Sequence, residues 1–79
     1  MLTKEQVIAL IKEALEAEAI TESSSADNVP EWDSLGHLNI LSMLDTATNG
    51  GIADLTDLAK ANSVNKILAI LASRSLLMR

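Results

Sequence analysis

The sequence predicts an all-α protein, a bundle of four helices in which the third helix is short. Apolar residues recur at three- and four-residue spacing in three stretches, over residues 1–19, 34–48 and 64–74. Turn-forming runs rich in Ser, Asn, Asp and Gly separate these stretches. The chain has 79 residues, which predicts one small domain, 1–79, with a modest core.

The first helix is predicted from Met1 to Ala19. Thr3 and Gln6 form a capping box at its start, and Leu2 with Val7 fits the hydrophobic staple around that box. Its predicted inward face consists of Val7, Ile11, Ala14 and Leu15.

A long connection is predicted from Ile20 to Trp32, because this stretch holds turn formers without an apolar period. So long a loop in so small a domain is usually functional or packed on itself. Ile20, Val29 and Trp32 are its predicted anchors. The serine run at residues 23–25 could instead make a flexible linker, but neither side would then hold enough core for a separate domain.

The second helix is predicted from about Ser34 to Thr48. Pro30 disfavours helical backbone at the preceding residue, and Asp33 is suited to the N-cap. The run Asn49-Gly50-Gly51 ends the helix, since Asn and Gly readily adopt the left-handed C-cap conformation.

The third element is predicted between Ile52 and Ala61, as a short helix or a turn. Asp54 or Thr56 could cap it. The residues that could pack inward are Leu55, Leu58 and Ala59.

The fourth helix is predicted to begin at an N-cap on Ser63 and to reach Arg74, a residue suited to a last turn. Its buried stripe is Val64, Ile67, Leu68, Ile70 and Leu71. The segment Leu76–Met78 either extends this helix or frays. The core of the whole molecule is predicted to centre on Val7, Ile11, Leu15, Leu41, Leu44, Ile67 and Leu71.

Ser34 occupies the first helical position if Asp33 is the cap, so its hydroxyl is not needed for capping. It then stands exposed at the positive end of the helix dipole, beside free backbone N–H groups. Such a place favours an anion such as a phosphate ester, and a serine there can be a modification site. The alternative is an ordinary helix start, since Asp and Ser are common cap residues.

The run Asp33-Ser34-Leu35, at a loop-to-helix boundary near the middle of a small acidic chain, resembles the signature of the acyl carrier protein family. The longer run from Trp32 to Leu38 resembles small free-standing carriers of specialised pathways. The order of helices, long, long, short and long, is also similar. Departures are the missing aromatic core residues and the glycine-rich turn after the second helix.

This resemblance implies a four-helix bundle of acyl carrier type whose long first loop crosses the bundle. It implies that a phosphopantetheinyl transferase attaches 4'-phosphopantetheine from coenzyme A to Ser34, with Asp33 beside it. Acyl or aminoacyl groups would then be held on the arm as thioesters. The other partners would be the enzymes that load the arm and the downstream enzymes of fatty acid or polyketide biosynthesis. The carrier, a phosphoprotein, would be a substrate of these enzymes and not itself an enzyme.

The second helix has more apolar residues than one face can hold. Either it has a broad core face with one or two exposed leucines, or some residues line a partner surface or an internal acyl cavity. Trp32, Leu35, His37 and Leu38 are the predicted partner contacts, with His37 on an exposed face near the arm. For Trp32 the alternative is a ring that plugs the end of the bundle.

Charge is distributed unevenly along the chain. Residues 1–45 carry two lysines against nine acids, a net of −7, within an overall net charge of −5. An acidic domain repels nucleic acid and anionic lipid, which favours partners with basic patches, although acidity also serves solubility alone. No apolar run approaches the length of a membrane span, and no secretory signal is evident. The protein is expected to be cytoplasmic, and it is also expected to be a monomer.

Catalytic and metal sites are not expected. Asp33, Ser34 and His37 lie on one helical turn, which supplies neither the orientation nor the oxyanion pocket of a catalytic triad. One histidine and no cysteine give no spacing typical of a metal site. The alternative function is a small acidic helical module for protein–protein interaction, without a prosthetic group.

Overall fold

The computed structural model describes residues 2–52 and 56–78, which form three α-helices and one 3-10 helix. The α-helices are α1 (Lys4–Leu15), α2 (Ser34–Ala47) and α3 (Val64–Ser73), and the 3-10 helix spans Thr56–Lys60. This part of the chain has no β-strand, only two isolated bridges. None of its helices has the length and apolar character needed to cross a bilayer.

Helix α1 has the predicted capping box, but it begins at Lys4 and not at Met1, and it ends early. The Thr3 hydroxyl accepts a hydrogen bond from the Gln6 N–H, and the Gln6 side chain accepts one from the Thr3 N–H, which completes the capping box. The predicted end at Ala19 is wrong. Glu16 takes the left-handed conformation, with φ of 54°, and its N–H bonds back to the last turn.

The first loop is packed against the bundle and is not a flexible linker. Its predicted anchors Ile20, Val29 and Trp32 are buried, as is the hydroxyl-bearing residue Ser24. Two backbone hydrogen bonds join the loop to the start of α3: the Ala26 N–H donates to the Asn62 carbonyl, and the Val64 N–H donates to the Ser24 carbonyl.

A second tie joins the loop to α1. Lys4 and Glu22 form an exposed ion pair at 2.6 Å. The hydrogen bond and the charge of the Glu22 carboxylate raise the pKa of Lys4. Because both side chains are about half exposed, solvent screening keeps the contribution of this pair to stability small.

In the described part of the third predicted helix, five residues form a 3-10 helix, so a count of four α-helices is not confirmed. Leu58 is buried as expected, whereas Ala59 is exposed. Asp54 and Leu55, proposed as cap and inward residue, lie outside the described residues. The Ala61 N–H donates to the Leu58 carbonyl and closes the last turn.

Helix α3 has the predicted cap, since the Ser63 hydroxyl accepts from the Lys66 N–H. Leu76–Met78 neither extends the helix nor frays. Ser75 adopts a positive φ of 59°, and the chain then turns back to the N-terminus. There the Leu2 N–H donates to the Leu76 carbonyl, and the Met78 N–H donates to the Leu2 carbonyl.

One core cluster lies between the helices and under the first loop. Six of the seven predicted central residues are buried: Val7, Ile11, Leu15, Leu44, Ile67 and Leu71. The seventh, Leu41, is only half-buried, because it faces the groove between α2 and the 3-10 helix. Ile70, placed in the buried stripe of α3, is likewise half-buried.

Candidate functional site

The N-terminus of α2 is built by Asp33, as predicted. Its Oδ1 accepts a hydrogen bond of 2.8 Å from the Gly36 N–H, and its carbonyl accepts the first helical bond from the His37 N–H. Asp33 itself has extended backbone angles, which place the carboxylate over the first turn.

Ser34 is the first residue of the helix and is exposed. Within residues 2–52 and 56–78, no group forms a hydrogen bond with its hydroxyl. Asp33 has taken over the capping, so the oxygen of Ser34 is accessible at the positive end of the helix dipole. Both features favour an anionic group at this position.

Gly36 lies directly beneath this site and was not identified from the sequence as a site residue. A Cβ built at this position would lie 2.3 Å from the Glu31 carbonyl oxygen and 2.7 Å from Cδ2 of Leu15. The absence of a side chain therefore lets the loop and α1 close against the start of α2. A glycine inside a strongly apolar helix was the available signal, since it weakens a helix unless packing requires it.

Trp32 is buried, with 4% of its surface exposed, and its predicted role as a partner contact is not supported by this position. Its indole packs into the core cluster, and its Nε1–H donates to Nδ1 of His37 at 3.1 Å. The alternative prediction, a ring that plugs the bundle, describes its place correctly.

His37 does not lie on an exposed face, so that prediction is wrong. Its ring is half-buried and lies nearly parallel to that of Trp32, with 6.3 Å between the ring centroids. Nε2 lies 2.8 Å from the carbonyl oxygen of Leu58. Both ring nitrogens thus have hydrogen-bond partners within the fold. Nδ1 bonds to Trp32 of the loop, and Nε2 bonds to Leu58 because α2 and the 3-10 helix approach each other here.

Leu35 and Leu38 are the exposed leucines of α2, with 67% and 60% of their surfaces accessible. Ile40 and Leu44 on the opposite side are buried. The excess of apolar residues in this helix is therefore divided between a core face and an exposed face that begins one residue after Ser34.

Two depressions each have walls from both α2 and the 3-10 helix. The first, here named the Ser34 cleft, has a volume of about 310 Å³ and includes Asp33, Ser34, His37, Lys60 and Asn62 in its walls. The second, here named the α2 groove, has a volume of about 360 Å³. Its walls are mostly apolar and include Leu38, Leu41, Ile52, Leu58 and Ala59.

Lys60 is a wall residue that the sequence did not suggest. It places a cation beside Ser34 in a chain of net charge −5. The sequence could not reveal this, because 26 positions separate the two residues and only the packing of the 3-10 helix on α2 brings them to one cleft.

Comparison of the chain with protein-family models finds no family that matches, and comparisons with curated proteins and with solved structures find no match either.

Proposed function

We propose that this protein is an acyl carrier protein whose Ser34 bears a 4'-phosphopantetheine arm. The observation that carries the proposal is the exposed Ser34 hydroxyl at the first position of α2, free of capping because Asp33 caps the helix. The signature Asp33-Ser34-Leu35 lies at this loop-to-helix boundary, as the resemblance to the family implies.

The proposed attachment is a group transfer from coenzyme A. The Ser34 oxygen forms a new bond to the phosphorus that carries pantetheine, and 3',5'-ADP leaves. The serine proton passes to a base of the phosphopantetheinyl transferase. The product is a phosphodiester, and the dipole of α2 and the nearby Lys60 both favour its negative charge.

The arm would carry its acyl or aminoacyl group as a thioester. The chain has no cysteine, so no protein thiol competes with the thiol of the arm. The α2 groove offers apolar walls close to the attachment point, where a short apolar acyl group could be shielded. Tethering gives the substrate a high effective concentration at each partner active site that the carrier meets. The protein is then a substrate of its partner enzymes.

A second candidate is an acidic interaction module without a prosthetic group. The exposure of Leu35 and Leu38 favours it, because adjacent exposed leucines on one helix are typical of a docking surface. This candidate gives no role to the free hydroxyl of Ser34.

The distinguishing experiment is intact-protein mass spectrometry after co-expression with a phosphopantetheinyl transferase of broad specificity. Wild type should gain one phosphopantetheine, and Ser34→Ala should gain none while its helical circular dichroism and melting remain unchanged. Ser42→Ala is the matched control, since Ser42 is an exposed serine further along α2 and should leave modification intact. Unmodified wild type, or a modified Ser34→Ala protein, would refute the carrier proposal.

A further inference from the structure

His37 has a fixed tautomer in this fold. The indole Nε1–H of Trp32 can only donate, so Nδ1 of His37 must be the acceptor of their 3.1 Å hydrogen bond. The proton of the neutral ring is therefore on Nε2, which donates to the carbonyl of Leu58 at 2.8 Å. Trp32, His37 and Leu58 form a directional chain of hydrogen bonds from the loop through α2 to the 3-10 helix.

We propose that His37 is a positioning residue, a proton-sensitive tie that holds the 3-10 helix against α2. In the described part of the chain it makes the one hydrogen bond that joins these two helices. Leu58 of the 3-10 helix is also buried in the same core cluster as Ile40 and Leu44 of α2.

The position of the 3-10 helix determines the shape of both depressions beside Ser34. Leu58 lines the α2 groove, Lys60 lines the Ser34 cleft, and Ala59 belongs to both. His37 is itself a wall of the Ser34 cleft, and its neighbour Leu38 is a wall of the α2 groove. A change in this hydrogen bond therefore alters the space in both depressions.

Protonation breaks the chain of hydrogen bonds at Nδ1. A second proton on the ring converts Nδ1 from an acceptor into a donor, so two N–H groups then face each other. The buried indole N–H of Trp32 loses its partner, which is unfavourable for a group with almost no access to water. The ring of His37 must turn to avoid this, and turning moves Nε2 away from Leu58.

The elements around the Ser34 cleft contribute charged groups of both signs. Asp33 from the cap of α2 and Lys60 from the 3-10 helix share the cleft with His37, one of each sign. Glu31 in the loop and Asp57 on the 3-10 helix are exposed. The other elements around the cleft contribute the uncharged residues Ala26, Ala61 and Asn62.

The tie is independent of any modification of Ser34; only its consequence for an attached arm rests on the proposed carrier function. It is therefore tested on the unmodified protein by ¹⁵N NMR. We expect the Nε2–H tautomer of His37 at neutral pH. On acidification, the indole N–H resonance of Trp32 and the amides of residues 57–61 should move together with the His37 ring nitrogens. Trp32 is the sole aromatic residue, so intrinsic fluorescence reports the same event.

Two variants separate positioning from packing. His37→Gln has an amide that can still donate to the Leu58 carbonyl but cannot titrate, so the shifts of residues 57–61 should become independent of pH. His37→Ala loses both hydrogen bonds, of which only the one to Leu58 holds the 3-10 helix. The amide hydrogen of Ala61, which closes the last turn of that helix, should therefore exchange roughly tenfold faster, as for the loss of one net hydrogen bond. The glutamine variant should restore most of that protection.

The Nδ1–H tautomer in wild type would overturn the proposal, and so would an unmoved Trp32 resonance while His37 titrates. Equal pH dependence in His37→Gln would do the same. If either variant fails to fold, the tautomer and the coupled titration of wild type decide alone. The mass measurement on Ser34 is a separate experiment, so failure of the carrier function would be recognised separately.

Discussion

Gly36 shows how much a single residue at the start of α2 constrains. Any side chain there would meet the carbonyl oxygen of Glu31 and the side chain of Leu15 at distances that no Cβ tolerates. Its N–H also donates to the capping carboxylate of Asp33. The residue thus connects the position of the loop, the packing of α1 and the cap beside Ser34.

We expect Gly36→Ala to destabilise the protein by about 1–3 kcal/mol, the usual cost of overpacking a filled site. This opposes the intrinsic preference, because alanine favours a helix over glycine by roughly 1 kcal/mol. The measurement is urea unfolding followed by circular dichroism. Asn39→Ala at an exposed position of α2 is the control, and it should be neutral or slightly stabilising. A Gly36→Ala protein as stable as this control would contradict the packing argument.

At the scale of the element, some leucines of α2 pack in the core and others are exposed. Leu44 is buried in the core, whereas Leu35 and Leu38 face solvent immediately after Ser34. The charges on this helix are sparse, with Asp33 at the cap and Asp45 near the end. Trp32 is buried and does not contribute to this face.

Under the proposed carrier function, we expect partner enzymes to bind α2 through burial of Leu35 and Leu38 more than through ion pairs. Fully burying a leucine contributes roughly 1.5–3 kcal/mol, whereas an exposed ion pair typically contributes up to about 1 kcal/mol. Loading of the arm by the cognate enzyme should fall roughly tenfold or more in Leu38→Ala. Asp45→Asn and a salt series should change it little. Strong salt dependence with a large loss in Asp45→Asn and none in Leu38→Ala would restore charge as the main docking force.

At the scale of the whole molecule, the core is small and shared by every helix. Val7 and Ile11 of α1, Leu44 of α2, and Ile67 and Leu71 of α3 are fully buried in one cluster. A domain of 79 residues has few such residues to spare. Each of these core residues therefore contributes a large part of the free energy of unfolding.

We expect Leu44→Ala to cost about 2–5 kcal/mol, as for other fully buried leucines. Small domains have a total stability on the order of 5 kcal/mol or somewhat more, so the variant should melt far below wild type. Leu38→Ala is the matched control on the same helix and should change the free energy of unfolding by less than about 0.5 kcal/mol, since Leu38 is 60% exposed. Equal melting of Leu44→Ala and wild type would show that the wrong face of α2 is assigned to the core.

The sequence alone determined the features that arise within one helical turn. The capping box of Thr3 and Gln6, and the caps on Asp33 and Ser63, were predicted correctly. The turn after α2 was also predicted, where Asn49 and Gly50 take positive φ. These caps and this turn depend on hydrogen bonds and backbone preferences of residues close together in the chain, so the sequence is enough to predict them.

The tertiary structure decided whatever depends on residues far apart in the chain. His37 and Leu58 are 21 positions apart, and no local pattern indicates that an imidazole on α2 will meet that carbonyl. Leu77 forms an isolated β-bridge with Leu2, near the other end of the described chain. The segment Leu76–Met78, predicted to be helical or frayed, therefore pairs with the N-terminus instead. Periodicity shows that α2 has too many apolar residues for one face. Only the packing of α1 and the 3-10 helix against it decides which of them lose contact with water.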